Sequence, residues 1–147
     1  MIILEQIRND VKDAMRAKDK ERLETLRLVT AAIKQIEVDE RISVDEQRVL
    51  QILDKLCKQR KESIAQFAQA NRQDLVDKEN AQLIIIEHYL PTPLTEEEIH
   101  QIISQAMDDT KASSVADMGK VMALVKPALQ GRADMSKVSV LIKSKLN

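Results

Sequence analysis

Few side chains in this protein could attack, protonate or ligate, and their spacing gathers no set of them together. Nucleophilic catalysis needs a Ser, Cys or Thr within reach of a base. The single cysteine, Cys57, falls on an apolar helical stripe, where thiols are inert packing groups. The two histidines, His88 and His100, flank a proline-containing stretch, with no second ligand four residues away and no neighbouring cysteine. Zinc asks for three or four N, S or O ligands, so neither a metal nor another cofactor is expected. Glu96, Glu97 and Glu98 are read as first-turn acids complementing a helix dipole rather than as paired acid–base carboxylates. No catalytic residue is assigned.

Two residues break their local pattern in ways that suit binding. Arg60 continues the stripe Ile52, Leu56, Arg60, Ser63, Phe67 within the basic run Lys58-Gln59-Arg60-Lys61. A guanidinium there must be paired or hydrogen-bonded; an interhelical salt bridge or snorkelling accounts for it, and a ligand contact is the other reading. Gly119 interrupts an apolar helical pattern in a chain with only 2 glycines, at a cost of about 1 kcal/mol relative to Ala. Its missing side chain lets either another helix or a ligand approach the backbone. Ser114, Asp117 and Gly119 place backbone N–H groups near a helix start, which suits an anion such as phosphate. Lys120 points off the Met118–Met122 stripe, and Met118, Met122 and Met135 read as core or a flexible contact surface.

The elements that carry these residues are all helices. The chain has 147 residues, enough for one sizeable domain or two small ones. With 2 Gly and 3 Pro it excludes a β-rich fold and a Gly-rich phosphate loop. One Phe, one Tyr and no Trp exclude a binder that works by stacking bases. The net charge of −1 gives no global field toward DNA or a membrane, and no apolar run is long enough to span a bilayer. The first residues meet an acid at Glu5 and show no basic leader pattern. Together with the lone cysteine, this predicts a cytoplasmic protein.

Leu4, Ile7, Val11, Ala14 and Met15 mark a first helix, and Lys18-Asp19-Lys20 a turn in which Asp19 caps the next. Leu26, Val29, Ile33 and Ile36 form the stripe of a second helix ending near Asp39. Ser43 with Glu46 reads as a capping box opening a long third helix to about Asn71. Its stripe is Val49, Ile52, Leu53, Leu56, Cys57, Ile64 and Phe67, and an antiparallel pairing with the second helix would cover it. A fourth helix runs from near Asp74, its Leu83–Ile86 stretch apolar all round and expected to be the most buried. Pro91 and Pro93 mark a boundary between an N-terminal helical domain, 1–90, and a C-terminal three-helix unit, 91–147. In the latter, Thr95 and Glu98 form a second capping box before Ile99, Ile102, Ile103 and Met107. A further helix carries Val115, Met118, Met122, Val125 and Leu129, Gly131 stops it in a left-handed cap, and a last helix spans Met135 to Leu146.

Charge is uneven within this plan. Residues 91–110 hold five acids and no base, whereas residues 111–147 hold seven bases against Asp117 and Asp134, a local excess of +5. Such a surface neutralises phosphates and fits the shape of a folded RNA without reading its bases. Lys111, Gly119, Lys120, Lys126, Arg132 and Lys137 are the candidate RNA-binding residues.

Asp117-Met118-Gly119-Lys120-Val121-Met122 followed by Gly131-Arg132-Ala133-Asp134 resembles the signature of the GatB/YqeY family. Lys58-Gln59-Arg60-Lys61, Arg72-x-Asp74-Leu75-Val76, Glu79, Tyr89-Leu90-Pro91 and Leu94-Thr95-Glu96-Glu97-Glu98 extend the likeness over nearly the whole chain, closest to the stand-alone branch. Ala123 and Met135 stand where many members have glycine, and Pro93 replaces a commonly polar linker residue. The resemblance implies an all-helical protein whose C-terminal unit is like the tail of the aspartyl/glutamyl-tRNA amidotransferase B subunit. That tail grips the transfer RNA elbow, while kinase and transamidase chemistry sit in domains and subunits absent from this sequence. The family's label, carbon–nitrogen ligase activity with glutamine as amido-N-donor, thus comes without residues here to activate glutamine or ATP. The implied partners are structured RNA, above all transfer RNA, and amidotransferase or synthetase subunits; the alternative is an adaptor docking proteins through its C-terminal helices.

Overall fold

The computed structural model describes residues 2–147, which are helical with no strand among them. The chain divides into two compact units, Met1–Leu90 and Pro91–Asn147.

In the first unit, α1 (Ile2–Ala17), α2 (Lys20–Glu40), α3 (Glu46–Gln69) and α4 (Gln73–Glu87) enclose one core. The turn after α1 places Lys18 in the left-handed region, and the Asp19 carboxylate accepts from the Arg22 N–H as the cap of α2. Leu4, Ile7 and Ala14 of α1 and Leu26, Val29 and Ile33 of α2 are buried, as their spacing requires. Met15 lies outside that face and is 51% exposed.

Three expectations for α3 and α4 are corrected. Asp45, not Ser43, caps α3, accepting from the Arg48 N–H at 2.8 Å. Glu46 turns away from its own helix and accepts from the Ile2 and Ile3 N–H groups, at 2.9 and 3.1 Å, thereby capping α1. Secondly, α3 packs chiefly along α4 and only lightly on α2. The short link between α3 and α4 makes them an antiparallel hairpin, and Arg60–Gln82 and Lys61–Glu87 contacts tie the two together. Thirdly, the Leu83–Ile86 stretch is not buried all round: Leu83 and Ile86 face inward, but Ile84 is 62% exposed. One helix face can be covered here, and the polar Gln82 takes a core position beside Leu83.

The second unit comprises α5 (Glu96–Thr110), a 3₁₀ turn (Val115–Asp117), α6 (Met118–Leu129) and α7 (Met135–Leu146). Both halves of the Thr95–Glu98 capping box form. Gly131 has φ 79°, the left-handed value that lets the chain leave α6 without a Cβ clash. The core gathers Ile103 and Ala106, Val121, Val125 and Leu129, and Val138, Ile142 and Leu146. Val115 is exposed in the 3₁₀ turn, so the inward stripe of α6 starts a turn later than the spacing of Val115 and Met118 suggests. Packing runs from α5 to α6 and from α6 to α7, which leaves an outer face on each helix.

Candidate nucleic-acid interface

The outer side of α6 is built from residues left over once Val121, Val125 and Leu129 turn inward. Gly119, Lys120, Ala123, Leu124, Lys126, Pro127 and Ala128 are all exposed. A Cβ built on Gly119 would meet nothing within 4 Å. Of its two sequence readings, close packing against another helix of the same unit is thus eliminated. The helix carries a glycine whose cost no internal contact explains.

Lys120 and Lys126 flank this small-residue surface, about 120° apart around the helix and about 9 Å apart along it. Lys137, in the first turn of α7, is exposed, and so are Lys143 and Lys145 at its end. Lys111 is the left-handed C-cap of α5, with φ 54° and its side chain in solvent. None of these six lysines forms an ion pair among the described residues. Lys143 and Lys145 belong to the basic excess but not to the predicted set, and they too are exposed.

Two predicted members behave differently. Arg132 is half-buried and committed to the fold: its Nε donates to the Thr92 carbonyl at 3.2 Å, and its own carbonyl accepts from the Leu94 N–H at 2.9 Å. It fastens the 92–94 segment to the turn between α6 and α7. The open anion cradle expected at Ser114, Asp117 and Gly119 is also corrected, because two of its N–H groups are already taken: that of Asp117 donates to the Ser114 carbonyl at 2.9 Å, and that of Ser114 to an internal anion. The Asp117 carboxylate accepts from the Ser113 and Ser114 N–H groups at 2.9 and 3.3 Å. Those two bonds hold it below its usual pKa, and nearby Lys120 adds a smaller push the same way. The 3₁₀ turn then runs directly into α6, with the Met118 N–H bonded to the Val115 carbonyl.

The remaining candidates have structural roles. Arg60 finds neither a carboxylate nor a ligand; its Nε donates to Gln82 Oε1 at 3.2 Å and its Nη1 to the Leu56 carbonyl at 3.1 Å. Burial, helped by the Glu87 charge, pushes the Cys57 thiol up to about 12, so it is no nucleophile at neutral pH. His88 lies edge-on to Tyr89, with ring centres 5.4 Å apart, and among the described residues no group of three or more His, Cys, Asp or Glu is placed to hold a metal ion. Sequence reasoning missed one polar knot. The Tyr89 hydroxyl donates to the Asp10 carboxylate, which also lies 3.7 Å from Arg22. A single tyrosine at the end of an apolar helix was its only advance signal.

Chemically, the second unit offers exposed ammonium groups around a smooth helix face. It offers no aromatic platform, because Phe67 and Tyr89 belong to the first unit. Such a surface can meet a phosphate backbone and has no Phe, Tyr or Trp on which to stack bases.

Comparison with known proteins agrees with the motifs. The model of the family described as Yqey-like protein matches residues 4–146. A Pyrenophora tritici-repentis protein named altered inheritance of mitochondria protein 41, mitochondrial, is 31% identical over 90% of this chain and 74% of its own length. The Kluyveromyces lactis protein of that name is 39% identical over 73% of this chain, and the Saccharomyces cerevisiae (strain YJM789) one 34% over 74%; in each, the match spans 60% of the relative. These names overturn the cytoplasmic expectation. One unpaired cysteine speaks only against an internal disulfide, a property that does not distinguish one reducing compartment from another. By the extent of these matches, the chain belongs to the family of YqeY-like proteins.

Proposed function

We propose that this protein is a non-catalytic module that holds the backbone of a structured RNA, transfer RNA in the first instance, through its C-terminal three-helix unit. Lys111, Lys120, Lys126 and Lys137 neutralise phosphates, joined by Lys143 and Lys145, while Gly119 lets the RNA approach α6 closely. Arg132 contributes through its hold on the 92–94 segment beside this face. The reading extends to an accessory part in glutamine-dependent tRNA amidation, by likeness to the amidotransferase tail. The observation that carries it is the set of exposed lysines outside any ion pair, with a glycine among them that has open space outside it.

Phosphate contacts release counterions, so affinity for transfer RNA falls steeply with salt. Titrations of the full chain at about 50 and 200 mM salt are expected to differ by at least about tenfold, and Lys120→Glu to weaken binding and flatten the slope. Absent or salt-insensitive binding overturns the proposal.

A second reading, a protein adaptor, is favoured by Leu124 and Val140, 48% and 68% exposed on α6 and α7. Pulldown with and without ribonuclease separates the two: an adaptor keeps its partner after digestion, an RNA-mediated assembly loses it.

A further inference from the structure

The second unit contains seven acids and seven bases, yet none of them pairs with another. The ion pairs Arg16–Asp13, Arg22–Asp10, Arg48–Glu40, Lys61–Glu87 and Arg72–Asp74 lie in the first unit. The cause is segregation. The five acids of residues 91–110 lie on α5, while the lysines lie at its end, on α6 and on α7. Of the unit's acids, Asp117, Asp134 and Glu98 cap helix starts, and Asp109 accepts from Gln105. Glu96, Glu97 and Asp108 remain exposed, with no hydrogen bond or ion pair to their side chains among the described residues. Glu97, Gln101 and Asp108 follow one another at helical spacing, so they form a line along the outer side of α5.

We infer that the protein associates with a second copy of itself, the acidic outer face of α5 in one copy lying against Lys120, Lys126 and Lys137 of another. The two faces have opposite sign, Glu97 and Asp108 against three lysines, and the whole chain at −1 has almost no net charge with which to repel its copy. A single exposed pair contributes little, but several opposed charges along two helix faces act together and set the register of contact. The contact goes beyond the RNA-binding reading and draws on the same lysines, so a polyanion on α6 and α7 would displace the second copy.

The test is sedimentation equilibrium of the full chain at about 20 and about 500 mM salt, where charge screening differs strongly. The expected result is association at low salt, weakened at least about tenfold at high salt. Two charge-reversed variants, Lys120→Glu/Lys126→Glu/Lys137→Glu and Glu97→Lys/Asp108→Lys, checked for helicity by circular dichroism, should each stay monomeric alone and associate when mixed. A wild-type chain that is monomeric at low salt overturns the inference, and so does association insensitive to salt or retained by both variants separately. The wild-type salt comparison decides even if a variant fails to fold. A monomer that still binds transfer RNA defeats this inference alone, whereas self-association without RNA binding defeats only the proposed function.

Discussion

Gly119 concentrates the argument at the scale of the residue. A helical glycine is normally excused by a neighbour pressing on it, and here the neighbour is missing. Gly119→Ala is therefore expected to stabilise the protein by up to about 1 kcal/mol, through helix propensity and a less flexible unfolded chain. Denaturant unfolding should show a higher midpoint with an unchanged slope. A loss of stability would mean that α6 uses the glycine internally after all. Its motif was plain in the sequence; that the space beyond it is open was not, because spacing tells which residues share a face and nothing of what lies opposite.

Among the elements, polar side chains reach further than local patterns indicate. Ser43-x-x-Glu46 has the form of a capping box, but Asp45 stands closer to the helix start and takes the role. Glu46 is thereby released to cap α1, a partner more than forty residues away that only folding supplies. Tyr89 does something similar at the end of the first unit, bonding Asp10 of α1. Tyr89→Phe is expected to cost about 1–2 kcal/mol, the loss of a hydrogen bond to a carboxylate. The pH dependence has a definite sign. Burial, and then the Asp10 carboxylate, raise the phenol's pKa above its ordinary value. The native state thus holds the proton that the unfolded chain gives up near pH 10. That part of the stability is complete below about pH 10 and is lost as pH rises through the higher native value. Unfolding at pH 8 and pH 11 should show an alkaline loss in the wild type that is smaller in Tyr89→Phe.

For the whole molecule, the buried apolar residues fall into two clusters, one made of residues of each unit. A fragment of residues 91–147 is expected to remain helical by circular dichroism and to unfold at lower temperature than a fragment of residues 2–90, since a smaller unit buries a smaller share of its surface. A fragment that is a random coil would show that the second core depends on the first unit. This division also concerns function. The exposed lysines and the unpaired acids both belong to the C-terminal unit, whereas every ion pair among the described residues belongs to the N-terminal one.

Local physics was enough for much of this. Apolar periodicity marked the helices, Asp19 and the Thr95–Glu98 pair marked two starts, Gly131 marked a stop, and the five acids of residues 91–110 and seven bases of residues 111–147 were countable before any fold was known. These properties depend on neighbours within a turn or so of the chain, and such neighbours are written in order. Tertiary structure alone decided that α3 lies along α4 rather than α2, and that Ile84 faces solvent within an apolar run. It also showed Arg60 satisfied by Gln82, Arg132 bonded to Thr92, and an aspartate taking the Ser114 N–H of the expected anion cradle. Each of those outcomes depends on a partner supplied by another segment or a turn closing on itself, and hydrophobic spacing does not say which groups will meet.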